Sequence, residues 1–261
     1  MKLETLKGWL DTDDAEFIYS SLKIDNHSTD SISRLRFWYQ HARDNIDLIE
    51  GNIFEFGVFR GASLISMAIL LKRLGSKKQI YAFDSFKGFP SYSKYDDLSY
   101  FDNLELDASL KNRITILHEI RNDIDTKTLD PSNVSVSGDF SDTSKEAVLS
   151  KIDFFELDNI TIVEGDFAET VPNFFELYEE KIFSANIDCD LYDGYKITLP
   201  CIWNVLSPGG YIHLDEYYSL KFPGAKIACD EFCLAHGITP QKQDSALKSE
   251  YERWYLLKQT G

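Results

Sequence analysis

Basic residues are scarce in this chain: 27 Lys and Arg stand against 43 Asp and Glu over 261 residues, for a formal net charge of -16. A protein that grips phosphate backbones presents a basic face that releases counterions, so a nucleic-acid substrate is not expected. Cysteine is also sparse. The four thiols (Cys189, Cys201, Cys229, Cys233) form no CxxC pair, and Cys229 and Cys233 lie four apart, a spacing natural for two core positions of a helix. Buried thiols are therefore expected rather than metal ligands or a disulfide. No window approaches the ~18 apolar residues of a spanning helix, and the start, MKLETLKGWLDTDDAEF, lacks a basic stretch followed by an apolar one. No membrane is expected, and the cytoplasm is the default location. No Pro/Gly/Ser-rich linker divides the chain, so residues 1–261 read as a single domain with an elaboration.

What is present is an alternation of two periodicities. Residues 1–50 carry apolar residues at three- and four-residue spacing in FIYSSL and ISRLRFWYQHARDNIDLI, which predicts a helical N-terminal cap outside the sheet. From Asn52 the pattern becomes strand (NIFEFGV), glycine turn, helix (SLISMAILLKRLG, stopped at Gly75) and a second strand, QIYAFD, ending on Asp84. Residues 91–140 interrupt the rhythm with a stretch too aromatic for a disordered linker and too long for an ordinary connection. They read as a lid or substrate-facing insertion after strand two. Its Tyr92, Tyr95, Tyr100 and Phe101 suit either a sugar face or the anchoring of a long loop. Alternation then resumes: helix TSKEAVLSKIDFF, strand NITIVEG, helix ETVPNFFELYEE, strand KIFSANID, helix GYKITLPCIWNVL, strand GYIHLDE and helix GAKIACDEFCLAHG, with ITPQKQ and ERWYLLKQ as two closing strands. The fold class is α/β, a doubly wound and mostly parallel sheet.

Two acidic groups, Asp188-Cys189-Asp190 and Asp215-Glu216, each follow an apolar run, so both emerge at the carboxyl edge of the sheet, where open α/β folds bind ligands. The first strand ends in Glu55-Phe56-Gly57-Val58-Phe59-Arg60-Gly61, a Glu-x-Gly-x-x-x-Gly turn that departs from the dinucleotide fingerprint. Gly57 and Gly61 let a ligand approach the backbone. Glu55 would repel a pyrophosphate but accept from an ammonium or a sugar hydroxyl, groups displayed by S-adenosylmethionine. Asp84, with Ser85 beside it, is placed for ribose hydroxyls. Asp166 and Phe167 follow the third strand, where adenine would lie, and Phe167 suits either stacking on the base or filling the core. Arg60 suits either the cofactor's carboxylate or a surface acid. Loop-edge acids also cap helices; Asp190 and Asp193 fit that role well, whereas Asp188 and Asp215 read better as functional, since clustered acids repel unless a cation neutralises them.

EFGVFRGAS, YAFDSFKGFP, IDCDLYDG and LSPGGYIHLDEY together resemble, in order and over roughly residues 35–240, the motifs of the macrocin-type O-methyltransferases, which act on sugars of macrolides, novobiocin and related glycosides. The resemblance implies a Rossmann-like class I methyltransferase with a mostly parallel seven-stranded sheet, helices on both faces, S-adenosylmethionine as cofactor, and metal-assisted methyl transfer to a sugar hydroxyl. It also implies Asp188, Asp215 and Glu216 as metal ligands, with Asp188 the candidate general base. The family usually has Asp-Asp where this chain has Asp215-Glu216, and Trp and Gly where it has Phe59 and Ala62.

Carboxylates favour a hard cation such as Mg²⁺. His213, two residues before Asp215, reads as a packed or hydrogen-bonded residue and not as a ligand. The resemblance implies as acceptor a glycosylated natural product, a nucleotide sugar or a polysaccharide precursor. Alternatives are a catechol-like phenol as acceptor, and a catalytically silent binding protein on the same fold. The resemblance and the amphipathic N-terminal helices admit a homo-oligomer, although those helices equally suit covering their own sheet.

Overall fold

The computed structural model describes residues 35–97, 137–218, 221–243 and 252–259, together with Tyr100 and scattered positions between 108 and 135. Its strands are β1 (Asn52–Phe56), β2 (Ile80–Asp84), β3 (Ile160–Glu164), β4 (Ile182–Ile187), β5 (Leu206–Leu214), β6 (Gln241–Lys242) and β7 (Trp254–Leu257). Its helices are α1 (Arg36–Asn45), α2 (Ala62–Arg73), α3 (Lys145–Phe154), α4 (Phe167–Leu177), α5 (Tyr192–Val205) and α6 (Pro223–His236). The FIYSSL segment of the expected cap lies outside the described residues, as does most of 91–140, of which a 3-10 turn at Lys94–Asp96 is described. No described helix is long and apolar enough to cross a membrane.

The sheet has seven strands in the order β3-β2-β1-β4-β5-β7-β6. Strands β1 to β5 are parallel, and β7 runs antiparallel to both β5 and β6. Strand addition moves outward from β1 to β3 and then returns to the other side of β1, so the order reverses between β1 and β4. A crevice opens at the carboxyl ends on either side of such a reversal.

Local signals account for the element ends. The Asp166 side chain accepts from the Ala168 N–H at 2.8 Å, so α4 starts at Phe167, two residues before the expected helix. Gly75 (φ 67°) stops α2, with the Ser76 N–H returning to the Leu71 carbonyl at 3.0 Å. Strand β5 begins at Leu206 rather than Gly210. The Gly209 N–H donates to Lys258 and the Lys258 N–H to Gly210, which ties the Pro-Gly-Gly bulge, where Gly209 has φ 80° and the register with β4 shifts, to the end of β7.

Both faces of the sheet are covered, so the central strands are apolar on both sides. One face packs Ile53, Ile80 and Tyr211 under α1, α2 and α3; the other packs Phe54, Phe56, Ile187 and Ile212 under α4, α5 and α6. Helix α1, the described part of the cap, lies on its own sheet: Trp38 Nε1 donates to Ser184 Oγ at 3.1 Å, and Tyr39 Oη to the Ser63 carbonyl at 3.3 Å. Beneath it runs a polar row of register neighbours, Glu55, Asn186 and His213, on β1, β4 and β5, all fully buried.

Helix α5 has no side-chain cap of its own at Leu191. Asp96 supplies one from the insertion: its Oδ1 accepts from the Tyr192 N–H at 2.8 Å and its Oδ2 from the Ser93 N–H at 2.8 Å. Gly224 of α6 leaves room for this, since a Cβ there would lie 2.1 Å from Asp96 Oδ1. Burial is the main reason the Asp96 carboxyl is pushed up to about 6, against the pull of the two amides. A raised acid contributes stability that is complete below its unfolded value of about 3.9 and is lost as pH rises through 6. Urea unfolding of the wild type and Asp96→Asn should therefore show the wild type losing ground to the variant between about pH 4 and pH 6, with a constant difference above that.

Candidate active site

The carboxyl ends of β1 to β4 surround a cavity of about 220 Å³. Its floor is set by one close backbone approach. Gly57 has φ 93°, and a Cβ on it would lie 1.8 Å from the Asp188 carbonyl oxygen. The Asp188 N–H donates to the Phe56 carbonyl at 2.9 Å and the Asp215 N–H to Ile187 at 3.1 Å, so hydrogen bonding continues past the strand ends into both acidic groups. Gly57 was expected to make room for a ligand; it lines the cavity, but the backbone that crowds it is the chain's own. Gly61 (φ 83°) precedes α2, and a Cβ there would meet the Val148 side chain at 3.2 Å.

Asp84 binds the glycine turn to the end of β2. One carboxylate oxygen accepts from the Val58 and Phe59 N–H groups at 2.7 and 2.8 Å, the other from Phe86 at 2.6 Å. Three of the roughly four acceptor positions of a carboxylate are thereby used. Ser85 donates to the Gly88 carbonyl at 3.0 Å, and both Asp84 and Ser85 line the cavity. Arg60, also lining it, pairs with Asp142 at 2.6 Å on the surface. An ion pair this exposed is worth about 0–1 kcal/mol and yields readily to a competing carboxylate. Asp166 lines the cavity while capping α4, and Phe167 lines it while packing edge-on against Phe56 at 6.0 Å. Glu55 is not among the cavity-lining residues. It is fully buried behind Ser63, which donates to its Oε1 and itself lines the cavity.

Asp188, Asp215 and Glu216, from two different strand ends, come together with ligand oxygens within 4.8 Å of one another. Asp188 faces the cavity; Glu216 is 4% exposed. Burial drives the Glu216 carboxyl well up, and the charges of Asp215, Asp190 and Asp188 push it further. Tyr195, buried beneath, accepts from the Glu216 N–H at 3.2 Å, and its own hydroxyl lies 2.9 Å from the Ile187 carbonyl and 3.4 Å from Glu216 Oε2. The donor set suits a hard divalent cation, which would offset the repulsion that adds to burial in pushing Glu216 up. The Cys189 thiol, between the acids, is raised by burial and by those same charges and stays protonated, which disfavours a soft-metal role. All four cysteines are free, with Cys229 and Cys233 buried 3.9 Å apart on α6.

Asp190 precedes Leu191, which holds the N-cap position of α5. Asp190 has φ 61°, is 7% exposed, and lines the cavity beside Asp188. Also outside the sequence reading is an aromatic wall in which Phe140 meets Phe59 and Phe89, each at 5.2 Å between ring centroids. Phe59, Phe86 and Phe140 all have positive φ (51°, 52° and 60°), a conformation that costs a bulky residue about 1–2 kcal/mol and that side-chain type alone does not signal.

The family described as Methyltransferase domain matches residues 54–217. The chain belongs to that family. Within it, the chain is 26% identical over 196 residues to the mycinamicin III 3''-O-methyltransferase of Micromonospora griseorubida, covering 75% of this chain and 65% of that protein. It is 26% identical over 210 residues to the demethyldecarbamoylnovobiocin O-methyltransferase of Streptomyces niveus, covering 79% of this chain and 67% of that one. The chain thus spans about two thirds of the length of these relatives. Among solved structures the fold of this methyltransferase-family chain is similar to that of the O-methyltransferase NovP (TM-score 0.62, 21% identity, 87% of this chain and 80% of that chain) and to the calicheamicin methyltransferase CalS11 (0.56, 23%, 95% and 93%).

Two expectations follow from the geometry. Gly57→Ala should cost at least about 1–3 kcal/mol in urea unfolding, because positive φ and the Asp188 carbonyl both oppose a Cβ. Glu216→Gln should raise the metal-free melting temperature by removing the cost of keeping a buried carboxyl in its neutral form, and should lose any stabilisation that Mg²⁺ gives the wild type in a thermal-shift assay.

Proposed function

We propose that this chain transfers the methyl group of S-adenosylmethionine to a hydroxyl of a sugar on a natural product or a related glycoside, with metal assistance and with Asp188 as base. The observation that carries the reading is the convergence of Asp188, Asp215 and Glu216, of which Asp188 lines a cavity walled by the β1–α2 turn and the ends of β2 and β3 while the other two stand behind it. The mycinamicin and novobiocin relatives, named for O-methylation, support the reaction class.

In this reading the cofactor lies along the glycine turn. Arg60 takes its carboxylate in exchange for Asp142, Asp84 uses its remaining acceptor capacity on the ribose, and Asp166 and Phe167 border the adenine. Glu55 acts from behind, through Ser63. Asp188, Asp215 and Glu216 would hold Mg²⁺ or another hard cation, which when bound lowers the pKa of an acceptor hydroxyl and orients it. Asp188, facing the cavity, accepts the hydroxyl proton on a carboxylate oxygen. The acceptor oxygen then forms its bond to the methyl carbon as the carbon–sulfur bond breaks, leaving S-adenosylhomocysteine and a protonated Asp188. The chain's main contribution is to hold the two reactants in line and keep water out, with the Phe59–Phe89–Phe140 wall closing one side.

Calorimetric titration of S-adenosylmethionine, combined with transfer of labelled methyl to a panel of glycosides with and without Mg²⁺, tests the reading. Asp188→Asn should keep cofactor affinity and lose about 10²–10⁴-fold in turnover. No cofactor binding by the wild type would sink the methyltransferase reading, and cofactor binding with full activity in Asp188→Asn would remove Asp188 from the chemistry.

A further inference from the structure

We infer that His213 is a positioning residue for the proposed metal site: it holds one carboxylate oxygen of Asp215 so that the other is left to face Asp188 and Glu216. The inference rests on the metal reading above. The His213 side chain is fully buried, and its Nε2 lies 3.4 Å from Asp215 Oδ1, whose side chain is 8% exposed. The Asp215 backbone is already fixed by its hydrogen bond to Ile187, so side-chain rotation is the freedom left to that carboxylate. An imidazole N–H donor on Nε2 removes it, as outer-shell donors do for ligating carboxylates.

The imidazole has little freedom itself. His213 sits in register between Asn186 of β4 and Tyr255 of β7, and the Asn186 amide donates to Glu55 Oε1 at 3.3 Å. Ser63, bonded to that same Glu55 oxygen, lines the cavity at the cofactor turn. A polar row thus crosses the three central strands within an otherwise apolar core and ends on a carboxylate of the cluster. Within that apolar face His213 is placed where its Nε2 reaches Asp215.

The test is calorimetric titration of Mn²⁺ into the wild type, His213→Leu and His213→Gln, with S-adenosylmethionine titrated in parallel. His213→Leu should weaken Mn²⁺ binding about 10–100-fold and leave cofactor affinity unchanged, while His213→Gln, which keeps an amide donor, should recover most of the loss. Equal Mn²⁺ affinity in the wild type and His213→Leu overturns the positioning role alone. No Mn²⁺ binding by the wild type overturns the metal reading and this inference with it. Should His213→Leu not fold, ¹⁵N-histidine NMR of the wild type decides: an Nε2-protonated ring whose resonance moves on adding Mg²⁺ is expected. An Nδ1-protonated ring, or one indifferent to Mg²⁺, overturns the inference.

Discussion

The contact between Gly57 and the Asp188 carbonyl sets the geometry on which the rest of the site depends. Strands β1 and β4 are the pair at which strand order reverses, and their ends can converge only because position 57 has no Cβ. The convergence brings the glycine turn, which would meet the cofactor, against Asp188, which would meet the acceptor. Asp84 then fixes the turn from the β2 side through three backbone amides, so the cavity is shaped largely by main chain on rigid strand ends.

Electrostatics pull against packing at the same place. Glu216 and the Cys189 thiol are both pushed towards their neutral forms by burial among acids, and Tyr195 beneath them likewise. A cluster of this kind weakens an unliganded fold and rewards a cation with more than its direct coordination energy, because neutralising one group relieves several. The excess of acid in the whole chain works in the same direction, raising the local concentration of cations around the cavity mouth.

Much of this was legible in the residues. The apolar runs before Asp84, Asp188 and Asp215 located three strand ends, because a strand buried on both faces is mostly apolar; Glu55, Asn186 and His213 are among the polar exceptions within the sheet. The glycine turn and Gly75 located α2. What stayed hidden was set by long-range packing. Glu55 was read as a ligand-facing acid, but the pleat turns it into the layer beneath α2, where Ser63 meets it. Asp190 was read as a cap, since nothing in Asp-Leu-Tyr betrays a left-handed backbone. The true cap of α5, Asp96, lies in another part of the chain altogether, and no local pattern connects it to Tyr192.

The placement of β7 has a consequence for how the chain is made. Strand β5 carries Asp215 and Glu216 just past its end, and its outer edge is paired by β7, whose Leu257 and Trp254 stand opposite Tyr211 and Leu214. During vectorial synthesis β1 to β5 and α6 leave the ribosome before Trp254 does. Until then β5 presents an unpaired apolar edge, the kind of surface that recruits chaperones or a neighbouring nascent chain. The strand that carries Asp215 and Glu216 is thus the parallel strand whose outer edge depends on the later-made β7.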